Sequence, residues 1–115
     1  MARQLLTNVE IDDFIAKVIR EANHHAPNVG AVITPLSNAV RARLNLATDK
    51  VEVYERNGQL ARTCWVTIGG RRYVFTYNYG SGQIDLKAGT LQGAIRSSFD
   101  NSTQASTITH QAARL

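Results

Sequence analysis

The stretch KVEVYERNGQLARTCWVTIGGRRYVFTYNYGSGQIDLK, residues 50–87, decides the fold. Asn57-Gly58, Gly69-Gly70 and Ser81-Gly82 are turn signals at nearly even intervals between runs rich in β-branched and aromatic residues. That is the pattern of a four-stranded antiparallel meander. Two-residue turns then set the register. The first places Val51 opposite Cys64 and Val53 opposite Arg62. The second places Val66 opposite Tyr73 and Cys64 opposite Phe75, and the third Tyr79 opposite Ile84 and Tyr77 opposite Leu86. All of these fall on one face, which is expected to pack against helices. The other face carries Thr, Asn and charge around an aromatic island.

Upstream, Thr7 opens a capping box with Glu10, and Asp12 and Asp13 add negative charge where a helix dipole favours it. Ile11, Phe14, Ile15, Val18, Ile19 and Ala22 follow at three- and four-residue steps, one apolar stripe of a helix. Asn23 to Gly30, with Pro27, ends it. Val29, Val32, Ile33, Leu36, Val40 and Leu44 again have helical spacing. Pro35 interrupts it, so a short helical turn is expected first, then a helix capped by Thr34 and running to about Asn45. Arg41 and Arg43 read as a solvated face. Downstream, Thr90 reads as the cap of a short helix over about 90–100, with Leu91, Ala94, Ile95, Ser98 and Phe99 on one side. Residues 102–115 have few strong apolar residues and read by composition as a tail that needs a clamp to be ordered, a second copy being one such clamp.

The expected architecture is therefore a single α+β domain over residues 1–115: helical segments over 7–45, a four-stranded β-meander over 50–87 with helices on one face, a C-terminal helix and a tail. A chain of this length buries about two thirds of its unfolded surface without needing a disulfide or a metal. The single cysteine, Cys64, cannot form an internal bridge and reads as a small buried residue suited to a reducing cytoplasm. No stretch approaches a transmembrane helix or a signal-peptide core, so a soluble cytoplasmic protein is expected. The net charge is +4, and ten of the thirteen basic residues are arginine, which suits bidentate contact with phosphate or carboxylate.

Two constellations stand out. On the outer sheet face, Trp65, Tyr54 and Val74 lie close together with Lys50, Arg72 and Lys87 around them. Such a face hides its apolar island against a second subunit or a protein partner. Alternatively, its aromatics stack unpaired bases while the cations follow the phosphates, although Glu52 and Asp85 oppose that. On the inner face, Arg62 needs a partner. Either it pairs with Glu55 with its stem on Tyr77, or Arg62, Glu55, Tyr77 and Tyr79 form a small anion pocket.

No catalytic residues, metal ligands or cofactor site are assigned. His24-His25 at a helix C-terminus interacts with the dipole, His110 is remote in sequence, and no ligand-spaced Cys or carboxylate accompanies them. Gly80-Ser81-Gly82 sits between strands and does not open a helix, unlike a phosphate-binding loop. The reading is a non-catalytic binding or interaction module, a homodimer or partner-binding protein using the Trp65 face. Nucleic-acid binding on that face is the alternative, and a small metal-independent ribonuclease is a third, weaker reading.

Overall fold

The computed structural model describes the backbone of residues 2–56 and 59–115, and their side chains except those of 2 and 55–62. In chain order the elements are β1 (Ala2–Gln4), α1 (Asn8–His25), a 3-10 turn (Pro27–Val29), α2 (Ile33–Arg41), β2 (Lys50–Arg56), β3 (Gln59–Ile68), β4 (Arg71–Asn78), β5 (Gln83–Ala88), β6 (Ile95–Phe99) and α3 (Ala105–Ala113). The strands form one antiparallel sheet in the order β1-β2-β3-β4-β5-β6. The fold is α+β, with six strands where four were expected. Its core lies between one sheet face, with Val51, Val53, Val66, Tyr73, Leu86 and Phe99, and Ile11, Phe14, Leu36, Val40 and Ile108 from the helices.

The two added strands have different causes. β1 has three residues, too few to show an alternation. β6 lies where a helix was expected, because over five residues Ile95, Ser97 and Phe99 satisfy a period of two as well as Ile95 and Phe99 satisfy a helical step. The chain reverses just before it. Gly89 has φ 82°, and a Cβ at Gly93 would meet the Ala88 carbonyl oxygen at 2.4 Å, so residues 95–99 return along β5.

The middle hairpin has the expected register, with Val66 opposite Tyr73 and Cys64 opposite Phe75. Its neighbours each slip by two. Val51 faces Val66 and Val53 faces Cys64, because the ladder shifts between Val53 and Glu55. Tyr77 faces Ile84 and Phe75 faces Leu86, because the β4–β5 connection spans four residues and is closed by Gly82 N–H donating to the Asn78 carbonyl at 2.8 Å. A slip of two returns every side chain to its expected face. The Asn57-Gly58 turn itself lies outside the described residues.

In α1 the Glu10 N–H donates to the Thr7 hydroxyl at 3.2 Å, as the capping box requires, while the Glu10 carboxylate accepts from Leu6 N–H at 3.2 Å. α2 starts at Ile33 rather than after Thr34, so Pro35 is its third residue, where a missing N–H has no intrahelical acceptor to lose. It stops at Arg41, short of the expected Asn45. Arg41 and Arg43 are more than a solvated face: Arg41 donates to Asp12 at 2.6 Å and Asn8 at 3.2 Å, and Arg43 to the Leu115 carbonyl at 3.0 Å. Residues 102–115 are not a loose tail. α3 buries Ile108 and Ala112 and packs on α2, so a helix of the same chain is the clamp.

Candidate functional site

α1 touches α2 and the 3-10 turn and buries Ile11, Phe14 and Ala22 in the core it shares with the sheet. A cleft of about 580 Å³ runs along its apolar stripe, walled by Ile11, Phe14 and Val18 from α1, Leu36 from α2, and Val66 and Phe75 from the strands. Ile15 and Val18, mid-stripe, remain only half-buried. Half-buried apolar side chains beside a cleft leave surface that a guest molecule can cover.

Polar groups also line the cleft. Glu21 and His25 come from the last two turns of α1, with Nε2 of His25 3.7 Å from Oε2 of Glu21. Tyr77, from the end of β4, and Tyr79 line it too, their rings meeting edge-on with centroids 5.0 Å apart. Arg41, also in the lining, is neutralised by Asp12. Cys64 lines the wall, and burial pushes its thiol up to about 12, so it is a protonated surface there rather than a nucleophile.

Tyr77 and Tyr79 thus reach the cleft, while the side chains of Arg62 and Glu55 lie outside the described residues. The other constellation is assembled on the outer face through the pairs Lys50–Thr67, Thr67–Arg72, Glu52–Trp65, Trp65–Val74 and Val74–Lys87. It is not an open aromatic platform. Trp65 is 9 % exposed and Val74 0 %, and the Arg72 guanidinium carbon stacks 4.0 Å from the Trp65 ring centroid. Tyr54 is exposed, and Lys87 Nζ donates to the Leu91 carbonyl at 2.8 Å. Trp65 Nε1 is buried without an acceptor among the described residues. Asp85 is buried beside them, accepting from Ser98 Oγ at 2.7 Å and Asn78 Nδ2 at 3.0 Å.

The cleft was missed in the sequence because helical spacing shows which side of α1 is apolar and not how far from the sheet it rests. The one available signal was a stripe continuing unbroken into Glu21 and His25. His24 and His25 meet edge to face, with centroids 4.5 Å apart, and the described residues contain no group of three or more His, Cys, Asp or Glu placed to hold a metal ion. Among them, no helix is long and apolar enough to cross a membrane.

No curated protein matches this chain. Residues 11–109, a span that starts at the first residue of the cleft stripe and ends within α3, match a protein-family model. The chain belongs to the family described as integron cassette protein VCH_CASS1 chain.

Proposed function

We propose that this protein is a non-catalytic binding module that holds a small, largely apolar molecule in the cleft beneath α1. The observation that carries this is the cleft: its volume of about 580 Å³ falls within the range of small-molecule sites, and its walls are mostly apolar with polar groups such as Glu21, His25, Thr76 and Tyr77 among them. A protonated Cys64 on the wall suits binding better than covalent chemistry. The protein would act in the cytoplasm, where Cys64 stays a free thiol.

The test is titration with 8-anilinonaphthalene-1-sulfonate, whose emission rises in apolar surroundings. Saturable one-to-one binding is expected, weakened at least tenfold in Val18→Trp, which sets an indole into the cleft, with the circular dichroism spectrum unchanged. Absence of saturable binding, or binding indifferent to Val18→Trp, refutes the reading.

A second reading sets a partner on the outer face, either a second copy or single-stranded nucleic acid. It is supported by exposed Tyr54 and by Lys50 and Arg72, exposed cations of one cross-strand row that carry no ion pair among the described residues. Salt-sensitive change of Trp65 fluorescence on adding oligonucleotide would support nucleic acid, and a dimer mass by light scattering the second copy. A monomer with an unresponsive Trp65 would refute both.

A further inference from the structure

Consecutive strands of this sheet run in opposite directions, so the first residues of β2, β4 and β6 and the last of β3 and β5 share one end, where the Gly69-Gly70 turn lies. Of the ten residues in the two outermost positions of those five strands, five are cations, Lys50, Arg71, Arg72, Lys87 and Arg96, and none is acidic. The corresponding positions at the opposite end carry only Glu55 and Arg56, whose charges cancel. Positive charge on these strands is thus gathered at one end. The nearby Asp49 carboxylate is buried and taken up by the N–H groups of Asn45 and Gly69, and none of the five cations pairs with a carboxylate among the described residues.

Two of the five are held ready. The Arg72 guanidinium lies over the Trp65 ring, 4.0 Å from its centroid, and that of Arg96 over the Tyr73 ring at 5.4 Å, while both arginines stay exposed. A guanidinium stacked by its face keeps its N–H edge free, the edge that grips a phosphate through two parallel hydrogen bonds.

The same stacking disfavours unpaired bases. Trp65 is 9 % exposed and Tyr73 2 %, so neither ring offers a face on which a base can stack, and a single strand has little to hold here beyond its phosphates. A duplex needs only the phosphates. Neighbouring strands lie about 4.8 Å apart, so the four spacings from β2 to β6 set the Lys50 and Arg96 backbones about 19 Å apart. That width spans a B-form major groove of about 12 Å and reaches the phosphates on both of its sides. The major groove of duplex RNA is narrow and deep, and fits it less well.

We infer that this end of the sheet docks on the backbone of duplex DNA, with Lys50, Arg71, Arg72, Lys87 and Arg96 contacting phosphates across the major groove without reading sequence. This is independent of the cleft. It shares Lys50 and Arg72 with the outer-face reading and takes a paired strand in place of an unpaired one.

The experiment is fluorescence anisotropy of a labelled DNA duplex of about 16 base pairs, titrated with the whole protein between about 50 and 200 mM salt. Binding should be indifferent to sequence, and log K should fall with log salt at a slope of about −4.5, as five phosphate contacts require. Arg71→Glu changes a side chain that makes no bond among the described residues, and should weaken binding at least about tenfold. Arg20→Glu makes the same change of net charge at an exposed position on α1, and should alter binding less than about twofold. Equal losses in the two variants would show that net charge alone attracts DNA, and would overturn the proposal. Tighter binding of the single strand of the same sequence would overturn it and leave the outer-face reading standing. Tighter binding of the RNA duplex, binding to phosphatidylglycerol vesicles with none to DNA, or no binding at the lower salt would each overturn it as well. Dye binding in the cleft stands or falls separately.

Discussion

The side-chain oxygen of Asn101 accepts from the backbone N–H of Val32 at 3.0 Å and of Ala31 at 2.9 Å, so a residue beyond the last strand caps a helix 69 positions earlier in the chain. α2 has no side-chain cap of its own. The same residue donates from Nδ2 to the Pro27 carbonyl at 2.7 Å and from its backbone N–H to the Asn28 carbonyl at 2.8 Å.

Asn101→Ala removes the cap and the bond to Pro27. A loss of about 1–2 kcal/mol is expected, seen as a Tm lower by roughly 5–10 °C in thermal denaturation. Asn101→Asp, which keeps the acceptor and loses the donor, should fall between. An unchanged Tm for Asn101→Ala would show that water satisfies Ala31 and Val32 equally well.

Asp49 governs acid stability. Its carboxylate accepts from Asn45 N–H at 2.9 Å and from Gly69 N–H at 3.1 Å, and these two bonds hold its pKa below the ordinary 3.8. The stabilisation is present above the unfolded value and is lost as pH falls through the lowered folded one. Asp49→Asn should therefore lower the denaturant midpoint at pH 7 and flatten its decline between about pH 5 and pH 3. Some slope remains, because Asp100 is lowered in the same way by Ser102 and Gln83.

Cys64 acts at the opposite end of the pH scale. Burial raises its folded pKa from 9.0 to about 12, so the native thiol keeps a proton that the unfolded one releases. That contribution is complete below the unfolded pKa and fades as pH climbs past it. Cys64→Ala should reduce the loss of stability above about pH 9 relative to the parent protein. At pH 8 the native thiol should react with a disulfide reagent at least about a hundredfold more slowly than the unfolded one.

Trp65 should emit at blue-shifted wavelengths, as its burial requires. Arg72→Ala uncovers the ring and should move the emission to the red at a cost of about 0.5–1 kcal/mol. An unmoved spectrum would mean that other neighbours, rather than the guanidinium, shield the indole.

Ile108 anchors α3 within the shared core. Ile108→Ala should cost about 2–5 kcal/mol, read as a lower denaturant midpoint. A cost below about 0.5 kcal/mol, the scale of surface substitutions, would show that α3 contributes little to the core.

The sheet was legible where turn chemistry is strong. Gly69 and Gly70 have φ of 58° and 80°, values that single out glycine, and the hairpin they close has the expected register. The pattern was weaker at Tyr79, which belongs to a four-residue turn although it reads as a strand residue. Faces survived that error because the slip is even. At β6 and α3 the local signal pointed the wrong way or nowhere. Ser97 and Ser98 owe their strand geometry to pairing with Leu86 and Asp85, and Ile108 its helix to the surface of α2, both contacts remote in sequence. Tyr77 was assigned to the inner face, where it lines the cleft. Trp65 and Val74 were assigned to the right face, but their burial depends on how neighbouring side chains fold over them.

The sheet order β1-β2-β3-β4-β5-β6 also bears on the protein's synthesis. From β3 onward, each strand leaving the ribosome finds its partner already made, so the sheet can zip in the direction of translation with short loops to close. The two helices made first have no sheet waiting beyond β1. α2 receives its cap only when Asn101 has emerged, after the last strand is complete. Until then the helical layer must rest uncapped on a growing sheet, and a pause in translation between residues 50 and 100 would leave the apolar face of α1 open to chaperones for as long as it lasts.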